Sequence, residues 1–379
     1  MTPSQKFVVE TVNMAVALPQ PDPQDRLRVL STAADVVSPI DRKQAKILWR
    51  EGARIESELI RLGQHPAVSV MAGGNADCVA AQQFVENVPE TSVVAAEQSL
   101  IGSVTSCRSR TLDIVARKLD AALQKRIAAP RALMAVMEAE GVNSTWSQTH
   151  FEQMFDSLPD PEENSAEAEN FAAMYAHISG DVSKNTAKKS GLKLLDWLGQ
   201  QDDNGLRTLA INIVAGAMQQ ALGEQAFQDA LSSDVVAGSI ARNAANAAPT
   251  KIERSPVVGT SVLQAMRDTG EDRSDVLRDL PALQRARDAA AHGFASGTSG
   301  ENQQASKYFD IAFAAVDEVW SARTPEENAA AVVEEVSEAA AQVDSVNALL
   351  RAENLQDPSA QAIGMLAVAR VVAGRGTAR

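Results

Sequence analysis

The sequence predicts an all-α fold, a solenoid-like stack of helical hairpins, with a compact two-part multi-helix bundle as the alternative. Three observations lead there. A capping residue followed by proline recurs at Thr2-Pro3, Asp22-Pro23, Ser38-Pro39, Asp160-Pro161, Thr324-Pro325 and Asp357-Pro358. The cap side chain accepts a first-turn N–H, and proline at the first helical position gives up a donor that has no partner there anyway. Apolar residues return at three- and four-residue steps through nearly every segment. No segment alternates apolar and polar residues over a strand's length; Val68-Ser69-Val70 and Ser92-Val93-Val94 are too short to build a sheet.

In chain order, helices are expected over 3–17, 23–37, 39–62, 75–87, 91–103, 109–127, 130–139, 146–156, 161–178, 183–199, 205–222, 224–246, 259–269, 281–296, 302–321, 325–352 and 358–373. Gln5, Asp25, Asp41, Glu163 and Glu327 stand three residues past their caps, the capping-box spacing or its close relative. Leu48, Gly52, Ile55, Leu59 and Leu62 share one face, as do Leu206, Leu209, Ile213 and Ala217. Ala305, Tyr308, Phe309, Ala312, Val316, Val319 and Trp320 form another such face. The segment after Thr324 is the longest: Val332, Val336, Ala339, Val343, Val346 and Leu350 alternate steps of four and three, a seam suited to lengthwise packing on a neighbour.

A chain of 379 residues is longer than single cores usually grow, about 250–300 residues. Hydrophobic residues make up 45% but aromatics only 4%, so the core depends on many small contacts between closely spaced helices. Residues 248–259 carry Pro249, Pro256 and mixed charges without a helical period, and they read as a linker between an N-terminal helical domain, 1–247, and a C-terminal hairpin domain, 260–379. Internal repetition is faint. Asp22-Pro23 is followed by Val36-Val37, and Asp357-Pro358 by Val371-Val372, at the same offset. Residues 286–320 go further, with Gly293 in a first helix and Ala305, Phe309 and Ala312 in a second. This stretch, about a tenth of the chain, resembles a tetratricopeptide hairpin, in which small residues let the helices approach and an aromatic fills the gap. The resemblance implies a partner-binding scaffold and no catalytic residues.

The formal net charge of −14 argues against nucleic acid as a partner, since phosphate binding needs a surplus of Lys and Arg. No apolar run is long enough for a membrane span. The opening residues include Lys6 and Glu10 and show no signal peptide, although an exported chain trimmed of its signal would read the same, so the compartment stays open. The two cysteines, Cys78 and Cys107, are expected as partly buried free thiols in a reducing compartment. The alternative is a disulfide closing a loop of about 30 residues, worth roughly 3–4 kcal/mol. The sequon Asn143-Ser144-Thr145 matters only in a glycosylating pathway.

No arrangement of residues carries a catalytic signature. His65, His150, His177 and His292 are scattered, and none pairs at the i, i+4 spacing of zincins. His150-Phe151-Glu152 lacks the Pro-Cys-x-x-Cys of zinc deaminases. His177 and Asp181 could share a helix face. Ser190 and Lys193 have Ser-x-x-Lys spacing without its companion motifs, so Lys193 reads as a solvated residue. Cys78 follows a Gly73-Gly74 approach to a helix, where the dipole could lower its pKa, but a structural thiol or disulfide half outweighs a nucleophile. Phosphate-binding glycine loops are absent. No catalytic residue, metal ligand or cofactor is assigned.

Charge is segregated. Residues 108–131 and Lys184, Lys188, Lys189 and Lys193 are basic, while Glu326, Glu327, Glu334, Glu335, Glu338 and Asp344 are acidic. Solvated helix faces account for this plainly. The functional alternative is that Glu334, Glu335 and Glu338 form an acidic face for a basic surface on a partner or a second copy. The function expected is a non-enzymatic protein-interaction or scaffold protein with a protein or peptide partner on a helical-repeat surface. The alternatives are a small-ligand binder or enzyme with a site between hairpins, and a structural protein acting by self-association.

Overall fold

A computed structural model describes residues 1–72, 77–159, 168–201, 205–246, 272–323 and 328–377. Among them are 18 α-helices, two short 3-10 turns and no strand. The Asp160-Pro161 and Thr324-Pro325 pairs, Glu163, Glu326, Glu327, the residues 73–76 before the Cys78 helix, the 248–259 linker and the 259–269 helix all lie outside the described residues.

The chain forms two compact units: Met1–Ile55 together with Glu253–Arg379, and Glu56–Ile252. This differs from the expected division into 1–247 and 260–379, because the first helices pack on the last ones. Such pairing leaves no local mark in the sequence; only burial of complementary faces reveals it.

The first unit holds α1 (Pro3–Ala17), α2 (Pro23–Val37), the larger part of α3 (Arg42–Arg61), α13 (Ser274–Arg278), α14 (Ala282–Thr298), α15 (Asn302–Ser321), α16 (Ala329–Val343), α17 (Ser345–Glu353) and α18 (Pro358–Thr377). Helix α18 is its centre and packs on α1, α2, α16 and α17. Ala360, Ala362, Ile363 and Met365–Ala369 are all buried, and a helix that is apolar around its whole circumference belongs inside. Helices α14 and α15 form the closest hairpin.

The second unit holds the end of α3, a 3-10 turn at Val70–Ala72, α4 (Cys78–Asn87), a second turn at Glu90–Ser92, α5 (Glu97–Gln124), α6 (Pro130–Glu140), α7 (Thr145–Asp156), α8 (Ala168–Ile178), α9 (Lys184–Gly199), α10 (Gly205–Leu222), α11 (Glu224–Ser233) and α12 (Val235–Asn246). Its aromatic core joins Phe151, Phe155 and Tyr175, with ring centroids 5.0–6.0 Å apart. Tyr175 donates its hydroxyl to the Ala187 carbonyl at 2.8 Å, which satisfies the one polar atom brought into that core.

Several boundaries differ from the expected ones, each for a local reason. Ser38 closes α2 as its C-cap and does not start a helix; α3 begins at Arg42 because Asp41 accepts from Lys43 and Gln44 N–H, both at 3.0 Å. Helix α5 runs through 104–108 where a gap was expected, with a kink at Cys107 (φ −133°, ψ 34°). The buried Thr111 hydroxyl meets the Ser103 and Cys107 carbonyls there, at 2.8 and 3.1 Å. The single helices expected over 224–246 and 325–352 are each broken by an aspartate. Asp234 accepts from Ala237 N–H, and Asp344 from Val346 and Asn347 N–H, so each caps a new helix. The apolar seam therefore stops at Val343, and Val346 and Leu350 are exposed. In α10 the buried face is Ala210, Ile211, Val214, Ala217 and Met218, leaving Leu209 exposed. The face from Ala305 to Trp320 is buried throughout, as its period predicts.

Candidate functional site

The sequence-derived candidates do not converge. Cys78 and Cys107 are joined in a disulfide with Cα atoms 5.2 Å apart, so neither is the free thiol expected and Cys78 is no nucleophile in this state. His150 stacks on Trp146 and contacts Asp120 at 3.2 Å and the Trp146 carbonyl at 2.8 Å. His177 pairs with Glu138 at 2.7 Å on α6, not with Asp181. His292 lies beside the Tyr308 ring. Ser190 is buried, whereas Lys193 reaches outward to Asp156, so this Ser and Lys do not meet. Lys189 pairs with Glu152, Lys125 with Glu90, and Lys118 donates to the Val88 carbonyl, so much of the basic charge is engaged on neighbouring elements. No group of three or more His, Cys, Asp or Glu among the described residues could hold a metal ion.

The acidic face is also engaged. Arg370 on α18 bonds to Glu334 at 3.0 Å and to Glu338 at 2.7 Å. Arg28 on α2 lies 3.9 Å from Glu334, and Arg287 on α14 bonds to Glu335 at 2.8 Å. Burial alone would weaken the charged form of Arg370, but its hydrogen bonds to Glu334 and Glu338 hold its pKa above the usual arginine value. These glutamates thus pair with cations on neighbouring helices of their own unit, as partly exposed ion pairs.

What the first unit does offer is a cavity of about 370 Å³ where the start of α1 meets the ends of α2 and α18. Val8, Val36, Pro39, Ile40, Val372 and Ala373 supply its apolar wall. Its volume falls in the range of about 300–1,000 Å³ typical of small-molecule sites, which are mostly apolar with a few polar groups. The polar rim comes from α1, where a capping box sets the geometry: Thr2 N–H donates to Gln5 Oε1 at 2.8 Å and Gln5 N–H donates to Thr2 Oγ1 at 3.2 Å. Asp35 and Arg370 complete the lining. Asp35 is exposed as a residue, but the protein packed against its carboxyl group raises its pKa above the ordinary aspartate value, and the Arg370 charge only partly offsets this.

One sequence signal points here. Asp35 follows Asp22-Pro23, and Arg370 follows Asp357-Pro358, at the same offset, each directly before a Val-Val pair. The faint repeat thus places two similar helix ends, one acidic and one basic, around one cavity. No family model matches the chain, and comparison with curated proteins and with solved structures finds no similar one.

Proposed function

We propose that this chain is a non-enzymatic binding protein and that its first unit holds a small, largely apolar ligand in the cavity between α1, α2 and α18. The cavity carries this reading: an apolar wall with a short polar rim suits binding. The histidines, Ser190 and Lys193 lie apart, which favours binding over acid–base or nucleophilic chemistry. A protein or peptide partner on a helical-repeat surface is the second reading. The α14–α15 hairpin supports it, with Gly293 set against Phe309 in the manner of tetratricopeptide hairpins. The packing of α1 on α18 favours a closed bundle for the first unit over a stack of hairpins, since repeats in an open stack contact only their neighbours.

The test is titration of the full chain with benzyl alcohol, a neutral apolar probe, followed by NMR line shifts or calorimetry. Saturable binding that is lost in Ile40→Trp, where the larger side chain fills the space, supports the proposal. An absence of binding to the parent chain, or binding unaffected by Ile40→Trp, sinks it.

A further inference from the structure

Asp35 and Arg370 are the charged residues of the cavity lining. Glu334 and Glu338 share Arg370, and Glu334 also faces Arg28. Nε and Nη2 of Arg370 are directed at the glutamates of α16. Asp35 is exposed where it lines the cavity beside the apolar wall, and among the described residues no group hydrogen bonds to its carboxylate. A carboxylate at the edge of an apolar cavity gains a charge-assisted bond from a donor that arrives already attached to an apolar body.

Resting on the cavity assigned above, we infer that its ligand is a small organic cation, a protonated amine whose ammonium group bonds to Asp35 while its hydrocarbon part lies against Val36, Ile40 and Val372. An anionic ligand is disfavoured because Arg370 already has two carboxylate partners and Asp35 would repel a third. A neutral ligand would leave the Asp35 carboxylate to solvent and to the Arg370 charge, without a bond to the ligand. A primary amine supplies three N–H donors, and the hydroxyl of Ser4 on the rim and the Asp35 oxygens can accept them.

The experiment compares benzylamine, benzyl alcohol and benzoate, closely matched in size, on the full chain by calorimetry near neutral pH. Benzylamine is expected to bind about tenfold more tightly than benzyl alcohol, and benzoate more weakly than either. Asp35→Asn is expected to remove the preference for the amine, bringing the affinities for benzylamine and benzyl alcohol within about twofold of one another; Asp35→Ser replaces it should that variant not fold. Equal affinity for amine and alcohol, preference for benzoate, or an amine preference that survives both substitutions overturns the assignment of a cation. In each of those cases benzyl alcohol binding still upholds the cavity as a ligand site. If the parent chain binds none of the three, both readings fall.

Discussion

Glu56 lies in the later part of α3, within the second unit. It is fully buried, and among the described residues no cation is paired with it. Its oxygens accept from the Ser99 hydroxyl and from Val70 N–H at 3.2 Å, which ties the Val70–Ala72 turn and the start of α5 to α3. Burial pushes its pKa up from the ordinary 4.5 to about 7, against the opposing pull of the bonds from Ser99, Ser69 and Val70. The folded state therefore keeps a proton that the unfolded chain releases, and stability falls as pH rises from about 4.5 to 7. A displacement of that size is worth roughly 3 kcal/mol. Glu56→Gln should therefore flatten the pH dependence: between pH 5 and pH 8 the parent loses about that much more stability than the variant in urea unfolding. Equal losses in the two proteins would remove Glu56 as the cause. The sequence marks Glu56 as one more helical glutamate; its burial depends on where α5 and the Val70 turn settle.

Elements show the same division. Periodicity and capping pairs delimit α1 and α2 to the residue, and periodicity alone delimits α15, because these signals are local. Local signals alone join α16 and α17 into one helix, since a seam of valines continues through Asp344 and no proline follows that cap. The hairpin of α14 and α15 gives a sharper test of packing. A Cβ added to Gly293 would stand 2.9–3.0 Å from the Phe309 ring, closer than side chains approach without displacement. Gly293→Ala is expected to destabilise the first unit by about 1–3 kcal/mol through overpacking. In a Phe309→Leu background the penalty should shrink, with a coupling of at least about 0.5 kcal/mol in a double-mutant cycle. Additive effects would mean that the two residues do not press on one another.

At the scale of the molecule, the two units can be followed separately, because the tryptophans are divided between them. Trp49 and Trp320 belong to the first unit, Trp146 and Trp197 to the second. The Cys78–Cys107 disulfide, with a sequence separation of 29, constrains only the second. Reducing it should remove roughly 3–4 kcal/mol of stability from that unit. With Trp49 and Trp320 replaced by phenylalanine, thermal unfolding followed by the remaining emission should shift downward on adding reductant. With Trp146 and Trp197 replaced instead, it should not. A double Cys78→Ser, Cys107→Ser variant should ignore reductant in both formats. A shift of equal size in both units would show that they unfold as one.

The sequence by itself determined the all-helical class, many of the helix limits and the absence of a local catalytic motif. These follow from caps, spacing and residue type, which act within a turn or two of chain. Tertiary structure decided which helices share a unit, that the two cysteines meet, that Glu334, Glu335 and Glu338 are already paired, and that Asp35 is left beside an apolar cavity. Each of these depends on residues far apart in the chain coming into contact, and the local energies that write helices into a sequence carry no record of which distant face a helix will bury against.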